Sequence, residues 1–182
     1  QINEIPEEKI NVIPPQLLLP AFEKFSYISD DDLSDLFVNL MATAANSDTL
    51  KNAHPSFLQM IERLSPDEAK IVNLLRELKQ IPLLNIKRKR KTGNSFNIYI
   101  ENYTGIEKIL KLNFSENVDM FLNNLESMRI IQNMYGNFLV DKKSYILVIN
   151  NLMSYVLDCP SNVEEIYQEG LAIEKGHFKV TK

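Results

Sequence analysis

Apolar residues along this chain recur mainly at three- and four-residue spacing, the period of a helix with one buried face. Pro14, Pro15 and Pro20 interrupt the first twenty positions, so the first helix is expected to begin near Gln16 and to run through Leu17, Leu18, Leu19, Phe22 and Phe25. Ser29 or Asp30 can cap a second, whose Leu33, Leu36, Phe37, Leu40, Met41 and Ala44 follow the helical period. Asp31, Asp32 and Asp35 fall in or just after its first turn, where the helix dipole favours negative charge by roughly 0.3–1 kcal/mol each, and Asn46-Ser47-Asp48 marks its exit. His54-Pro55-Ser56 precedes a third helix with a stripe of Phe57, Met60, Ile61 and Leu64. Ser65-Pro66-Asp67-Glu68 combines a capping serine, a proline at the first helical position and a glutamate at the third, and opens a helix carrying Ala69, Ile71, Val72, Leu74, Leu75 and Leu78. That helix should stop before Pro82.

Beyond Pro82 the pattern changes. Residues 83–91 and 96–101 flank Thr92-Gly93-Asn94, and the second run is rich in β-branched and aromatic side chains, which predicts a hairpin. Ile106, Ile109 and Leu110 suggest a short helix, and Ser115 is placed to cap a longer one with Val118, Phe121, Leu122, Leu125 and Met128 on one face. A strand over 129–134 follows, then a helix with Tyr145, Ile146, Ile149, Leu152, Met153 and Val156. Ser161 to Glu164 repeats the capping pattern, and 172–181 reads as a closing hairpin around Glu174-Lys175-Gly176. This order predicts an α+β fold, predominantly helical: a helical subdomain over 1–64, then a winged-helix-like half over 65–182 with a helical insertion in the wing, the two being separate domains or one continuous one.

The length of 182 residues, 45% hydrophobic content and net charge of −4 are those of an ordinary folded protein. No window approaches the eighteen or so apolar residues of a membrane helix, and the first fifteen residues are acidic and proline-containing, unlike a signal peptide. A first residue Gln1 in place of Met suggests a chain trimmed at its start. One cysteine, Cys159, leaves no internal disulfide and suits a reducing compartment, so a cytoplasmic location and no membrane contact by this segment are expected. The triplets Asn102-Tyr103-Thr104 and Asn113-Phe114-Ser115 then carry no glycosylation meaning.

Catalytic chemistry finds little footing. His54, His177 and Cys159 lie far apart without metal-ligand spacing, so neither metal nor cofactor is expected. His54 beside Ser56 invites a nucleophile reading, but a triad also needs a group to orient the base and an oxyanion site, and a capping role at a helix start fits better. The five glycines, at 93, 105, 136, 170 and 176, form no phosphate loop. The aspartates at 30, 31, 32 and 35 lack the glycine and distal glutamate of an EF-hand.

Lys87, Arg88, Lys89, Arg90 and Lys91 form the one concentrated charge run. It could grip phosphates, yet a strand would divide it between two faces, and the remaining fifteen basic residues stand against twenty-four acidic ones, which opposes broad attraction to nucleic acid. The plain alternative is a solvated hairpin tip that discourages edge pairing. In a winged helix the helix after Ser115 would enter a major groove, but its Glu116, Asp119 and Glu126 surround Asn123 with carboxylates and favour protein contact.

Several segments carry a family likeness: Pro20-Ala21; Ser29, Asp30, Asp31, Asp32 and Leu33; Asn39-Leu40-Met41-Ala42; His54-Pro55-Ser56-Phe57; and Leu64-Ser65-Pro66-Asp67-Glu68-Ala69. Leu122-Asn123-Asn124-Leu125-Glu126, Ile130-Ile131 and His177-Phe178-Lys179-Val180-Thr181 extend it over most of the chain. Together they resemble the abortive-infection alpha family of bacterial proteins of unknown function. The resemblance implies a part in defence against phage and transfers no catalytic residue. Many defence proteins of this kind are ribonucleases that pair an arginine with a histidine a few residues later, and neither His54 nor His177 has an arginine so placed.

The expected function is therefore a non-enzymatic interaction module that binds another protein or an upstream part of its own chain. The alternative is a nucleic-acid binder that uses the basic hairpin at 87–91. A third reading, an enzyme with a dispersed site around His54 and the aspartate-rich helix start, requires those side chains to converge in a pocket.

Overall fold

The structure is a computed structural model that describes residues 5–89, 96–134, 137, 139, 145–146, 148–152 and 171–181. It is α+β, predominantly helical, with a curled four-stranded antiparallel sheet among the described residues. The chain divides into two compact units, Gln1–Asn73 and Leu74–Lys182.

The first unit is helical. α1 (Pro15–Phe25), α2 (Asp31–Ala45) and α3 (Pro55–Glu62) gather Leu17, Ala21, Phe37, Leu40, Ala44, Ala53 and Leu58 into one core. α1 starts on a proline, whose missing N–H belongs to the unpaired first turn in any case. It runs on through Pro20, which leaves the carbonyl of Gln16 without its helical donor. Asp30 caps α2 by accepting the N–H of Leu33 at 3.1 Å. The backbone of Ile10 bridges Asn46 and ties the N-terminal stretch to the end of α2. Of the expected α3 stripe, Leu64 is buried and Ile61 packs against the core, but Phe57 is exposed and its neighbour Leu58 is buried instead. Phe57 instead meets the ring of His54 edge-on, with ring centres 6.4 Å apart.

α4 (Pro66–Leu78) opens on the capping box expected at Ser65. Ser65 N–H donates to Glu68 Oε2 at 2.7 Å, and Glu68 N–H donates to Ser65 Oγ at 3.3 Å. Both carboxylates of the first turn are buried, and Lys70 pairs with Asp67 at 3.3 Å.

The sheet comprises β1 (Gln80–Lys89), β2 (Phe96–Tyr103), β3 (Ile131–Asn133) and β4 (Leu171–Val180), in the order β2-β1-β4-β3. β1 begins three residues earlier than its composition suggests and includes Pro82. The pairing with β2 starts only at Leu84, so Pro82 lies where β1 has a neighbour on one side alone and the missing donor is tolerated. β1 and β4 pair without a shift from Gln80↔Lys179 to Arg88↔Leu171. The closing hairpin expected around Glu174-Lys175-Gly176 is therefore a single strand. A turn signal of three residues is outweighed there by a long ladder in which Gly176 stands opposite the fully buried Leu83.

Leu84 and Ile86 pack with Tyr145, Val148 and Leu152, which lie in a helical stretch. Ile146, grouped by spacing with this core, is exposed. α5 (Val118–Ser127) buries Phe121, Leu122 and Leu125 as its period requires, followed by the buried Met128. Ser115 does not cap α5: it lies in a 3-10 turn (Ser115–Asn117), and Asn117 stands at the N-cap without a side-chain bond. The Thr92-Gly93-Asn94 tip, Met153, Val156, Cys159 and the 161–164 capping pattern lie outside the described residues.

Candidate functional site

The first unit carries an apolar groove between α1 and α2. Four α1 residues at helical spacing, Leu18, Ala21, Phe22 and Phe25, face Phe37, Val38 and Met41 of α2 around a volume of about 280 Å³. Ala21 and Phe37 form its floor as members of the core. Above them the surface is unusually apolar: Phe22 is 76% exposed, Leu19 68% and Phe25 46%. Tyr27, in the turn after α1, is 79% exposed. Burying one such side chain stabilises a fold by roughly 1.5–3 kcal/mol, so α1 leaves several of its largest apolar groups outside the core it helps to build. Contiguous exposed apolar surface of this kind characterises sites of contact with other molecules.

The cause is legible in the helix itself. Leu17 and Ala21 already occupy the core-facing positions of α1. Leu18, Leu19, Phe22 and Phe25 fall on the next faces round, and Ser26 ends the helix with its Oγ donating to the carbonyl of Glu23 at 2.6 Å. On α2, Asp31, Asp35, Val38 and Ala42 follow three-four spacing and share one ridge, which meets the groove at Val38.

A second concavity, about 470 Å³, lies within the second unit. Ile100, Tyr103 and Val118 supply its apolar wall, and Glu101, Glu107, Glu116 and Asp119 set four carboxylates against Lys108. Behind it β2 is doubly bulged, since its register with β1 slips between Leu84 and Ile86 and again between Ile86 and Lys87. Asn102 takes a left-handed conformation there (φ 55°), its N–H donates to the buried Asn85 Oδ1 at 2.7 Å, and its own Oδ1 accepts from Asn133 Nδ2 at 3.1 Å. Among the described residues no group of three or more His, Cys, Asp or Glu could hold a metal ion.

The residues singled out in the sequence are spread over these features. Lys87, Arg88 and Lys89 lie on β1, and Arg90 and Lys91 lie outside the described residues. β1 is an interior strand, with Lys87 between Ile98 and Ala172, so at this position the run does not guard a sheet edge. His54 caps α3: its Nδ1 accepts the N–H of Ser56 at 3.1 Å and lies 2.8 Å from Ser56 Oγ. Asp32 accepts from Asn73 Nδ2 at 3.0 Å, while Asp31 and Asp35 are exposed. Glu116 and Asp119 share the acidic concavity, whereas Glu126 accepts the N–H of Asn133 at 3.0 Å and secures the end of β3 to α5. Spacing alone does not reveal the groove, because it assigns all of these apolar residues to the core. The available signal is an excess: α1 carries more large apolar residues than one helical face can bury.

The profile of the family described as abortive infection alpha matches residues 1–182. No curated protein matches the chain. A solved structure, that of an uncharacterized protein from the hydrocarbon-degrading marine bacterium Alcanivorax borkumensis SK2, is 13% identical over 66% of this chain and 80% of that one. Its TM-score of 0.38 establishes no common fold. Among the described residues, no helix is long and apolar enough to cross a membrane.

Proposed function

The chain belongs to the abortive-infection alpha family, and on that premise we propose that it is a non-enzymatic protein-interaction module of bacterial phage defence, working in the cytoplasm through the groove between α1 and α2. The observation that carries this reading is the outward placement of Phe22, Leu19 and Phe25 beside an apolar depression floored by Ala21 and Phe37. A shallow apolar channel between two helices is the form that receives the apolar face of a third helix. The engagement of His54 and Ser56 in a helix cap supports the non-enzymatic part.

The winged-helix-like reading of residues 65–182 belongs to the same proposal, supported by the order α4, β1, β2, α5, β3, β4. Its α5 presents Asp119 and Asn123 to solvent next to Glu116, a surface that repels phosphate and suits a protein contact. The test is an anisotropy titration of the full chain with labelled single- and double-stranded DNA and RNA at low and moderate salt. Weak or absent binding is expected. Tight, salt-sensitive binding that disappears when Lys87, Arg88, Lys89, Arg90 and Lys91 are all replaced by glutamine would make this a nucleic-acid module instead.

A further inference from the structure

Resting on the reading of the groove as a docking surface, we infer that its partner is an amphipathic helix with large aliphatic or aromatic residues along one face and lysine or arginine beside them. The shape of the groove supplies the first half of that chemistry. Its α1 wall repeats at i, i+3, i+4 and i+7, and side chains projecting at the same period from an incoming helix interlock with it. A volume of about 280 Å³ accepts side chains, not a whole helix, so the helix lies along the channel and inserts its anchors.

Charge supplies the second half. α2 and its cap carry Asp30, Asp31, Asp32 and Asp35, and α2 has no basic residue. Two of these have local work, Asp30 as the cap and Asp32 with Asn73. Asp31 and Asp35 are exposed on the ridge that continues into Val38 at the groove wall. A favourable interaction with the helix dipole accounts for Asp31 in the first turn, but the effect fades within that turn and does not account for Asp35. On α1 the adjacent Glu23 and Lys24 offset each other. The groove is thus apolar, the α2 ridge that meets it at Val38 carries two exposed negative charges, and a cation on the incoming helix complements them.

The same charges disfavour the other occupants. A second copy meeting this face about a two-fold axis would bring one acidic ridge to another, because a two-fold interface uses the same patch on both partners. An anionic lipid surface would repel Asp31 and Asp35 in the same way.

The probe is a pair of fluorescein-labelled, alanine-based helical peptides of about five turns, both with leucine and phenylalanine at groove spacing and differing only in lysine or glutamate at the flanking positions. Anisotropy against the full chain is expected to show the lysine peptide binding about tenfold more tightly at low salt, a difference of 1.4 kcal/mol, and the gap closing when Asp31→Asn and Asp35→Asn are combined. Phe22→Ser with Phe25→Ser should abolish binding of both. Equal affinity of the two peptides overturns the cationic partner and leaves the docking groove standing. No binding of either peptide, or binding unchanged by the Phe22 and Phe25 substitutions, overturns the groove itself. Self-association in sedimentation equilibrium, or pelleting with phosphatidylserine vesicles, lost in either case with Phe22→Ser, would replace the partner helix with a second copy or a membrane surface.

Discussion

Asn85 Oδ1 accepts the backbone N–H of Asn102 at 2.7 Å, and this buried bond holds β2 where its double bulge breaks the regular ladder with β1. The left-handed backbone of Asn102 is a conformation that asparagine tolerates and β-branched residues do not. Replacing Asn85 by alanine strands a buried donor, and the expected cost is about 1–3 kcal/mol in denaturant unfolding. Asn102→Val should cost more than Asn102→Gly, because only valine is strained at φ 55°. Equal stability of the two Asn102 variants would show that the conformation at the bulge is not constrained as described.

The reciprocal bonds of Ser65 and Glu68 allow a double-mutant cycle at the start of α4. Ser65→Ala and Glu68→Ala are each expected to lower stability by about 1 kcal/mol. The double variant should lose less than the sum, because removing either side chain already breaks the box. Strict additivity in thermal unfolding would argue that the two bonds act independently.

Tyr145 predicts an alkaline limit to stability. Its phenol is buried against Leu84 and Ile86, and its pKa lies above the ordinary value of 10.0 because burial opposes ionisation, with the bond from the N–H of Leu139 acting the other way. Below pH 10 the phenol is neutral whether the chain is folded or unfolded, and its contribution is fully present. As pH rises past 10 the unfolded chain releases this proton more readily than the folded one, so stability falls and the contribution is lost as the folded pKa is passed. Tyr145→Phe should flatten that alkaline decline in unfolding measured from pH 9 upward. A slope unchanged by the substitution would assign the decline to other groups.

Phe22 and Phe37 line one groove but should differ widely in what their substitution costs. Phe37→Ala opens a hole in the helical core and is expected to cost about 3–5 kcal/mol. Phe22→Ser removes a side chain that is mostly in water and should change stability by no more than about 0.5 kcal/mol. Thermal melts of both variants test this, and a large loss for Phe22→Ser would mean that its ring supports the fold.

The contrast shows what is legible in the sequence. Helix starts with local chemistry can be read directly: Asp30, His54 and Ser65 each make the side-chain bonds that their positions suggest. Periodicity finds the helices but not always their inward face, because neighbouring apolar residues such as Phe57 and Leu58 compete for one core position and only packing decides between them. Long-range pairing is the hardest to anticipate. Gly176 looks like a turn until β1 supplies a partner ninety-three positions away, Leu83. The groove is hidden for a related reason, since spacing identifies apolar residues and does not say which of them the core has room for. The acidic concavity draws Glu101, Glu107, Glu116 and Asp119 from separate segments and leaves no motif.

The claim that the α1–α2 groove is the working surface is tested most directly by phage plating on bacteria that express the full chain, either wild type or Phe22→Ser, at matched protein levels. Protection by the wild type that is lost in the folded variant is the expected result. Equal protection by both strains would contradict the claim.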